Sequence, residues 1–152
     1  MHWAITGHTA AEIIHQRANS EQPNMGLTNW RGIKPRKQDV AIAKNYLNEE
    51  ELRALNNLVE QYLVFAEGQA MRRIPMHMQD WVGKLDGFLT LNERNILDHA
   101  GKISHEMAIQ HANEEYEKFH TLRLQTEAEQ ADTKDLETLA KLIEPQSKKK
   151  NK

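Results

Sequence analysis

Residues 48–70 read NEEELRALNNLVEQYLVFAEGQA, which is the clearest helical pattern in the chain. The Asn48 side chain can accept a hydrogen bond from the backbone amide three residues later, and Glu51 can reach back, as in a capping box. Apolar residues then recur every three or four positions on one stripe of a helix: Leu52, Leu55, Val59, Tyr62, Ala66 and Ala70. We therefore expect a long helix from Asn48 that is central to the core.

Similar patterns flank this helix on both sides. Capping boxes at Thr9–Glu12 and Thr90–Glu93 predict further helix starts, the first of them opening a helix that ends near Asn19. Apolar spacing predicts helices over about 37–47, 78–89, 96–100, 104–130 and 134–143, with Gly101 and Pro145 as stops. No stretch alternates with the two-residue period of a strand. The predicted fold is all-α, a bundle-like domain of about six or seven helices over residues 1–144, followed by a disordered lysine-rich tail, 145–152.

Composition sets limits on the class of protein. With 152 residues the chain suits one domain, and 39% hydrophobic with 28% charged residues is ordinary for a helix-rich globular protein. The absence of cysteine excludes disulfides and thiolate metal sites. The apolar runs are too short for a membrane-spanning helix, and the first residues lack the pattern of a secretory signal. We expect a cytoplasmic protein that does not enter a membrane.

The net charge of −2 hides an uneven distribution. Residues 1–44 carry six Lys or Arg against three acids, residues 45–147 carry ten against nineteen, and residues 148–152 add four lysines. A protein that binds nucleic acid over its whole surface would show a broad basic face, which the acidic middle of this chain does not provide. Concentrated positive charge is limited to residues 31–37 and the tail.

Three further blocks identify a family resemblance. Residues 2–14 (HWAITGHTAAEII), 23–32 (PNMGLTNWRG) and 44–52 (KNYLNEEEL) resemble the RhuM family of bacterial virulence-associated proteins, and the resemblance continues to about residue 124. It implies that this chain corresponds to the C-terminal half of proteins about twice as long. In such proteins the N-terminal half looks like a helix-turn-helix DNA-binding region, so the chain is expected to be a truncated form without it. The resemblance implies no established biochemical activity.

The loop of residues 24–32 is the strongest candidate binding site. It combines an aromatic ring, an arginine and two amides with two glycines, in a connector where turn residues alone would suffice. Tryptophan and arginine are over-represented where binding energy is concentrated. The candidate residues are Asn24, Thr28, Asn29, Trp30 and Arg31. The alternative is that Met25, Leu27 and Trp30 pack under the first helix and simply anchor the loop.

His8, Thr9 and Glu12 form a second candidate site. Gly7 precedes a capped helix start, where free backbone amides and the helix dipole favour an anion. His8 and His15 also flank Glu12 at spacings that could hold zinc, although a third ligand would have to come from elsewhere. The Glu-x-x-His pairs Glu12/His15 and Glu117/His120 match the spacing of di-iron helical bundles, but the motif is short, and surface residues that happen to lie one turn apart are the favoured explanation. We predict no metal site and no cofactor.

Catalytic patterns are weak. Ser104, His105 and Glu106 are consecutive, so on a helix they point about 100° apart and cannot form a relay. Gly-x-Ser-x-Gly is absent, as is the signature of the Fic domains with which some members of the resembled family are associated. We predict no catalytic residue, and enzyme activity is not expected.

Three functions remain open from the sequence. The first is a non-enzymatic module for protein interaction or self-association, through an apolar start at Trp3 and Ile5 and through the extended last helix. The second is an accessory DNA-binding or regulatory module, in a toxin–antitoxin or mobile-element defence context, with candidate contacts at Arg31, Lys34, Arg36, Lys37 and Lys44. The third is a metal- or nucleotide-dependent hydrolase built on His8, Thr9, Glu12 and the loop at Trp30.

Overall fold

The computed structural model describes the backbone of residues 1–150 and the side chains of residues 1–143. Within this part of the chain there are five α-helices and no strand, which confirms the all-α class. The helices are α1 (His2–Thr6), α2 (Ala10–Arg17), α3 (Glu49–Met71), α4 (Met78–Leu91) and α5 (His105–Lys150). None of these helices is long and apolar enough to cross a membrane.

The chain divides into two units, Met1–Tyr116 and Glu117–Lys152. The first unit contains α1 to α4 and the first turns of α5, and it holds the buried residues. The second unit consists of the remainder of α5. The candidate site residues of the loop and of the first helical turn all belong to the first unit.

Local capping sets the helix starts where the sequence predicted them. In α2 the Glu12 amide donates to Thr9 Oγ1 over 3.2 Å, and the Thr9 amide donates to Glu12 Oε1 over 3.3 Å. In α3 the Glu51 amide donates to Asn48 Oδ1 over 2.8 Å, and the Asn48 amide donates back to Glu51 Oε1 over 3.1 Å. Each box satisfies amides that lack a partner within their own helix.

The core of the first unit lies between α2 and the residues before α3. Its most completely buried large side chains are Ile13, Ile14, Met25, Val40, Tyr46 and Leu47. Helix α3 contributes less than its sequence indicated, since only Leu55 and Leu58 on it are buried. Burial of one such aliphatic side chain stabilises a fold by about 1.5–3 kcal/mol, so this small cluster supplies much of the available stability.

Helices α3 and α4 meet through aromatic side chains. The Tyr62 ring lies 6.1 Å from Trp81 and 5.8 Å from Phe88, and Phe65 lies 6.4 Å from Trp81. The Tyr62 hydroxyl also donates to the Trp81 carbonyl over 2.6 Å. These four rings are half-buried, so the hairpin is held by edge-to-face and tilted ring contacts rather than by a fully buried layer.

The first helix is covered more than the sequence indicated. The Trp3 ring packs edge-on against His99, with ring centroids 4.7 Å apart. Trp3 and Ile5 are half-buried. The expectation of an exposed apolar surface at these two residues is therefore wrong.

Several predicted boundaries are also wrong. The helix expected over residues 37–47 is replaced by two 3₁₀ turns, Lys37–Asp39 and Ala43–Tyr46, and residues 96–100 are not helical. The capping box expected at Thr90 does not form, because Thr90 lies inside α4 and Glu93 has a left-handed φ of 58°. The last two predicted helices form one continuous helix, α5, so the count of six or seven is not confirmed. Helix α5 also continues past Pro145, so the disordered tail is not confirmed, and residues 151–152 lie outside the described residues.

One ion pair joins α2 to the start of α3. The Arg17 guanidinium donates to both carboxylate oxygens of Glu51, over 2.7 Å and 2.8 Å, and to the Tyr46 carbonyl over 2.9 Å. Hydrogen bonding to Arg17 holds the pKa of Glu51 below its ordinary value. Because Glu51 also completes the capping box of α3, the same carboxylate both starts the helix and attaches it to α2.

Gly26 tests how closely the loop approaches the end of α2. It has a left-handed φ of 86°, and a Cβ placed on it would lie 2.1 Å from the Arg17 carbonyl oxygen. Gly32 has a φ of 90° with nothing within 4 Å of such a Cβ. We expect Gly32→Ala to cost about 1 kcal/mol from backbone strain alone, and Gly26→Ala to cost at least about 2 kcal/mol more because the backbone must shift. Urea unfolding of both variants measures the difference, and equal losses would contradict the close approach.

Candidate functional site

The loop before Trp30 is fixed to the backbone carbonyls of Asn45 and Leu47. The amides of Thr28 and Asn29 donate to the Asn45 carbonyl over 2.7 Å and 3.3 Å. The Thr28 hydroxyl lies 3.0 Å from the same oxygen and makes a short hydrogen bond to the Leu47 carbonyl. The role of Thr28 is therefore to hold the loop against the Ala43–Tyr46 turn.

The first half of the loop forms a tight turn. Asn24 and Met25 both have left-handed backbone conformations, with φ values of 52° and 49°, and the Asn24 carbonyl accepts the Leu27 amide over 3.0 Å. Met25 and Leu27 are buried, whereas Trp30 is only half-buried. The alternative in which apolar side chains anchor the loop by packing therefore fits Met25 and Leu27, whereas Trp30 remains on the surface.

Trp30 lies on a groove of about 550 Å³. The predicted residues Asn29, Trp30 and Arg31 come together in its wall, while Asn24 and Thr28 do not line it. The opposite wall consists of Gln38, Asp39, Ile42 and Asn45, and none of these residues was predicted from the sequence to belong to the site. These residues lie in the stretch that was predicted to be a regular helix.

The opposite wall of the groove is held by hydrogen bonds of its buried polar residues. Asp39 is buried, and its carboxylate accepts the Arg36 amide over 2.7 Å and lies 3.8 Å from the Arg36 side chain. The Asn45 amide donates to the Asp39 carbonyl over 2.9 Å, and the Tyr46 hydroxyl donates to the Val40 carbonyl over 2.8 Å. Burial raises the pKa of Tyr46 well above its ordinary value, so this hydroxyl stays protonated. The buried polar side chains of Asp39, Asn45 and Tyr46 therefore all have hydrogen-bond partners within the protein.

The stretch that supplies the groove residues also carries exposed positive charge. The Trp30 indole nitrogen donates only one long hydrogen bond, 3.4 Å to the Ile33 carbonyl. The five basic candidates, Arg31, Lys34, Arg36, Lys37 and Lys44, are all exposed. Residues 29–45 hold these five cations against the single acid Asp39, whose charge is already met by Arg36. An aromatic ring, three amide side chains and the Arg31 cation thus line one groove.

His8, Thr9 and Glu12 lie apart from the groove lining. Besides its capping bonds, Glu12 has its Oε2 3.8 Å from His8 Nδ1. Burial raises the pKa of Glu12, but hydrogen bonding to Thr9 and the nearby His8 outweigh it and leave the pKa below its ordinary value. A Cβ on Gly101 would lie 2.7 Å from Thr9 Cγ2 and 2.9 Å from Glu12 Oε1. Gly101 thus packs closely against the two side chains that cap this helix start.

The other histidine-containing patterns form pair contacts. The His15 ring lies 4.7 Å from the ring of His111, whose Nε2 is 3.0 Å from the Ala18 carbonyl. His120 Nδ1 lies 3.1 Å from the Arg123 guanidinium. Among the residues whose side chains are described, no three His, Asp or Glu groups are arranged so that they could hold a metal ion.

Thr28→Val tests the attachment of the loop. The change removes the hydroxyl that bonds two carbonyls, and we expect a loss of about 1–2 kcal/mol in the free energy of unfolding. Faster hydrogen exchange at the Thr28 and Asn29 amides should accompany it. Thr90→Val is the matched control, because its hydroxyl bonds only the Asp86 carbonyl within α4 and is exposed. Equal exchange at residues 28–29 in both variants would contradict the role of Thr28.

Comparison with known proteins supports the resemblance seen in the sequence. A family model described as the Virulence protein RhuM family matches residues 1–128. No match was found among the curated proteins or the solved structures. The matched range includes the whole of the first unit and so the Trp30 loop and its groove. The chain therefore belongs to the RhuM family of virulence proteins.

Proposed function

We propose that this chain is a non-enzymatic helical module that acts by self-association, and that the C-terminal part of α5 is its interface. The observation that carries the proposal is the exposure of large apolar side chains on this helix. Leu136, Leu139 and Ile143 are 68%, 55% and 65% exposed. None of the described side chains from residue 117 to residue 143 is buried.

Helix α5 buries apolar side chains in the first unit but exposes them after Tyr116. In the first unit the same helix buries Ala108, Ala112 and Tyr116, which recur every four residues. After Tyr116 the helix carries Leu122, Leu124 and Leu142 with about half or more of their surface exposed. Long helices in water draw most of their stability from packing of an apolar face, so this part needs a partner surface.

The spacing of the apolar residues favours a second copy as that partner. Leu136, Leu139 and Ile143 are separated by three and then four residues, which is the spacing of a coiled-coil seam. In a two-fold dimer the same stripe meets itself, so no other protein is required. Burying three such side chains from each copy contributes about 1.5–3 kcal/mol per side chain, against an association cost of about 4–15 kcal/mol. We therefore expect a dimer of moderate affinity.

The substitution that tests the interface places charge in the seam. The double variant Leu139→Lys with Ile143→Lys should be monomeric, because burying two lysines per copy is costly. Thr138→Lys is the matched control, since it adds a lysine to the same exposed helix outside the stripe. Light scattering after size exclusion over a concentration series measures the mass of each protein.

We expect a dimer for the unmodified chain and for the control, and a monomer for the double variant. Circular dichroism should show that the unfolding transition of the first unit is unchanged. A strict monomer of the unmodified chain at high concentration would overturn the proposal, as would a dimer that survives the double substitution. The cytoplasmic location expected from the sequence stays a prediction.

A further inference from the structure

We propose that the groove at Trp30 binds an unpaired nucleotide of a single-stranded nucleic acid. This inference is independent of self-association, because it concerns a different surface in the first unit. The basic residues of this region indicated a role in nucleic-acid binding. Within that role, the Trp30 ring, the amide side chains and the cations would each make a different contact.

The aromatic ring supplies the first element of recognition. Trp30 is half-buried on the wall of a groove of about 550 Å³, a volume within the range of small-ligand sites. Proteins that bind single strands stack unpaired bases on such rings, and every base offers a face for this contact. In a duplex the base faces are covered by their neighbours, so stacking on Trp30 favours a single strand.

Hydrogen-bonding groups beside the ring supply the second element. The amide side chains of Asn29, Gln38 and Asn45 line the same groove. The Asn45 nitrogen already donates to the Asp39 carbonyl and the Gln38 oxygen accepts from the Arg36 guanidinium. The Asn29 amide and the Gln38 nitrogen therefore supply the donors and the acceptor for the edge of an unpaired base. The Asn45 carbonyl and side chain are fixed by bonds to Thr28 and Asp39, so the base would meet a preformed surface.

Positive charge supplies the third element. Arg31 lies in the groove wall next to Trp30, and the exposed Lys44 is adjacent in sequence to the groove residue Asn45. The one acid of the lining, Asp39, is buried and is paired with Arg36, so it opposes a phosphate little. A phosphate backbone that enters the groove would therefore meet a net attraction beside the stacked base.

The test measures binding of a short fluorescein-labelled oligothymidine by fluorescence anisotropy. The probe should bind the full chain at about 50 mM salt and much more weakly at about 200 mM. A duplex of matched length and poly-glutamate should compete poorly. An oligouridine probe shows whether RNA and DNA are bound alike, and binding of either one supports the site.

Variants separate stacking from general charge. Trp30→Ala should weaken binding about tenfold or more, while Trp30→Phe, which keeps an aromatic face, should retain most of it. Arg31→Gln should weaken binding and reduce the salt dependence by about one phosphate contact. Arg53→Gln is the control, because this exposed arginine lies on α3 outside the Trp30 groove.

Melting curves show whether each variant is folded. If Trp30→Ala loosens the loop, Arg31→Gln still tests the site, because Arg31 is exposed. The proposal is overturned if neither oligothymidine nor oligouridine binds at the lower salt concentration. It is also overturned if poly-glutamate or the duplex competes as well as the single strand, or if Arg31→Gln and Arg53→Gln bind equally. Failure of this test leaves self-association unaffected, since the α5 variants do not alter the groove.

Discussion

The first unit depends on the ion pair between Arg17 and Glu51. Arg17 ends α2, Glu51 lies in the first turn of α3, and the guanidinium also binds the Tyr46 carbonyl between them. The side chains are 30% and 15% exposed, so the pair is partly removed from water and gains from its bidentate geometry. The Asn45 carbonyl, one residue before Tyr46, accepts the hydrogen bonds that position the Trp30 loop. The same ion pair therefore joins α2 to α3 and holds the backbone next to the carbonyl that positions the Trp30 loop.

Local signals predicted the fold where short-range bonding controls it. The capping boxes at Thr9 and Asn48 formed because their donors and acceptors are three residues apart. Residues 37–47 have helix-like apolar spacing but form 3₁₀ turns, because Asn45 and Tyr46 side chains bond the carbonyls of Asp39 and Val40, which a helix would use itself. The break expected between residues 130 and 134 is missing from α5. Glu, Gln, Ala and Lys are good helix formers even where the apolar pattern is thin.

The candidate site was predictable only in part. Residue type indicated Asn29, Trp30 and Arg31, which the structure brings together on one wall of the groove. The opposite wall could not be found from the sequence, because Asn45 reaches the loop through bonds that span 17 residues. The close approach of Gly101 to the capping side chains of α2 has the same origin, since nothing near Thr9 in the sequence shows that a distant glycine packs against it. Contacts between residues that are far apart in the sequence, rather than composition, thus determine which candidate residues lie on the same surface.

A double-mutant cycle of Arg17→Met and Glu51→Gln tests the central role of this pair most directly. Urea unfolding of the unmodified chain, both single variants and the double variant yields the coupling free energy between the two side chains. We predict a coupling of about 2 kcal/mol, together with loss of hydrogen-exchange protection at residues 28 and 29 in each single variant. Additive effects within about 0.5 kcal/mol, with residues 28 and 29 still protected, would show that the loop and the helices are held independently of this ion pair.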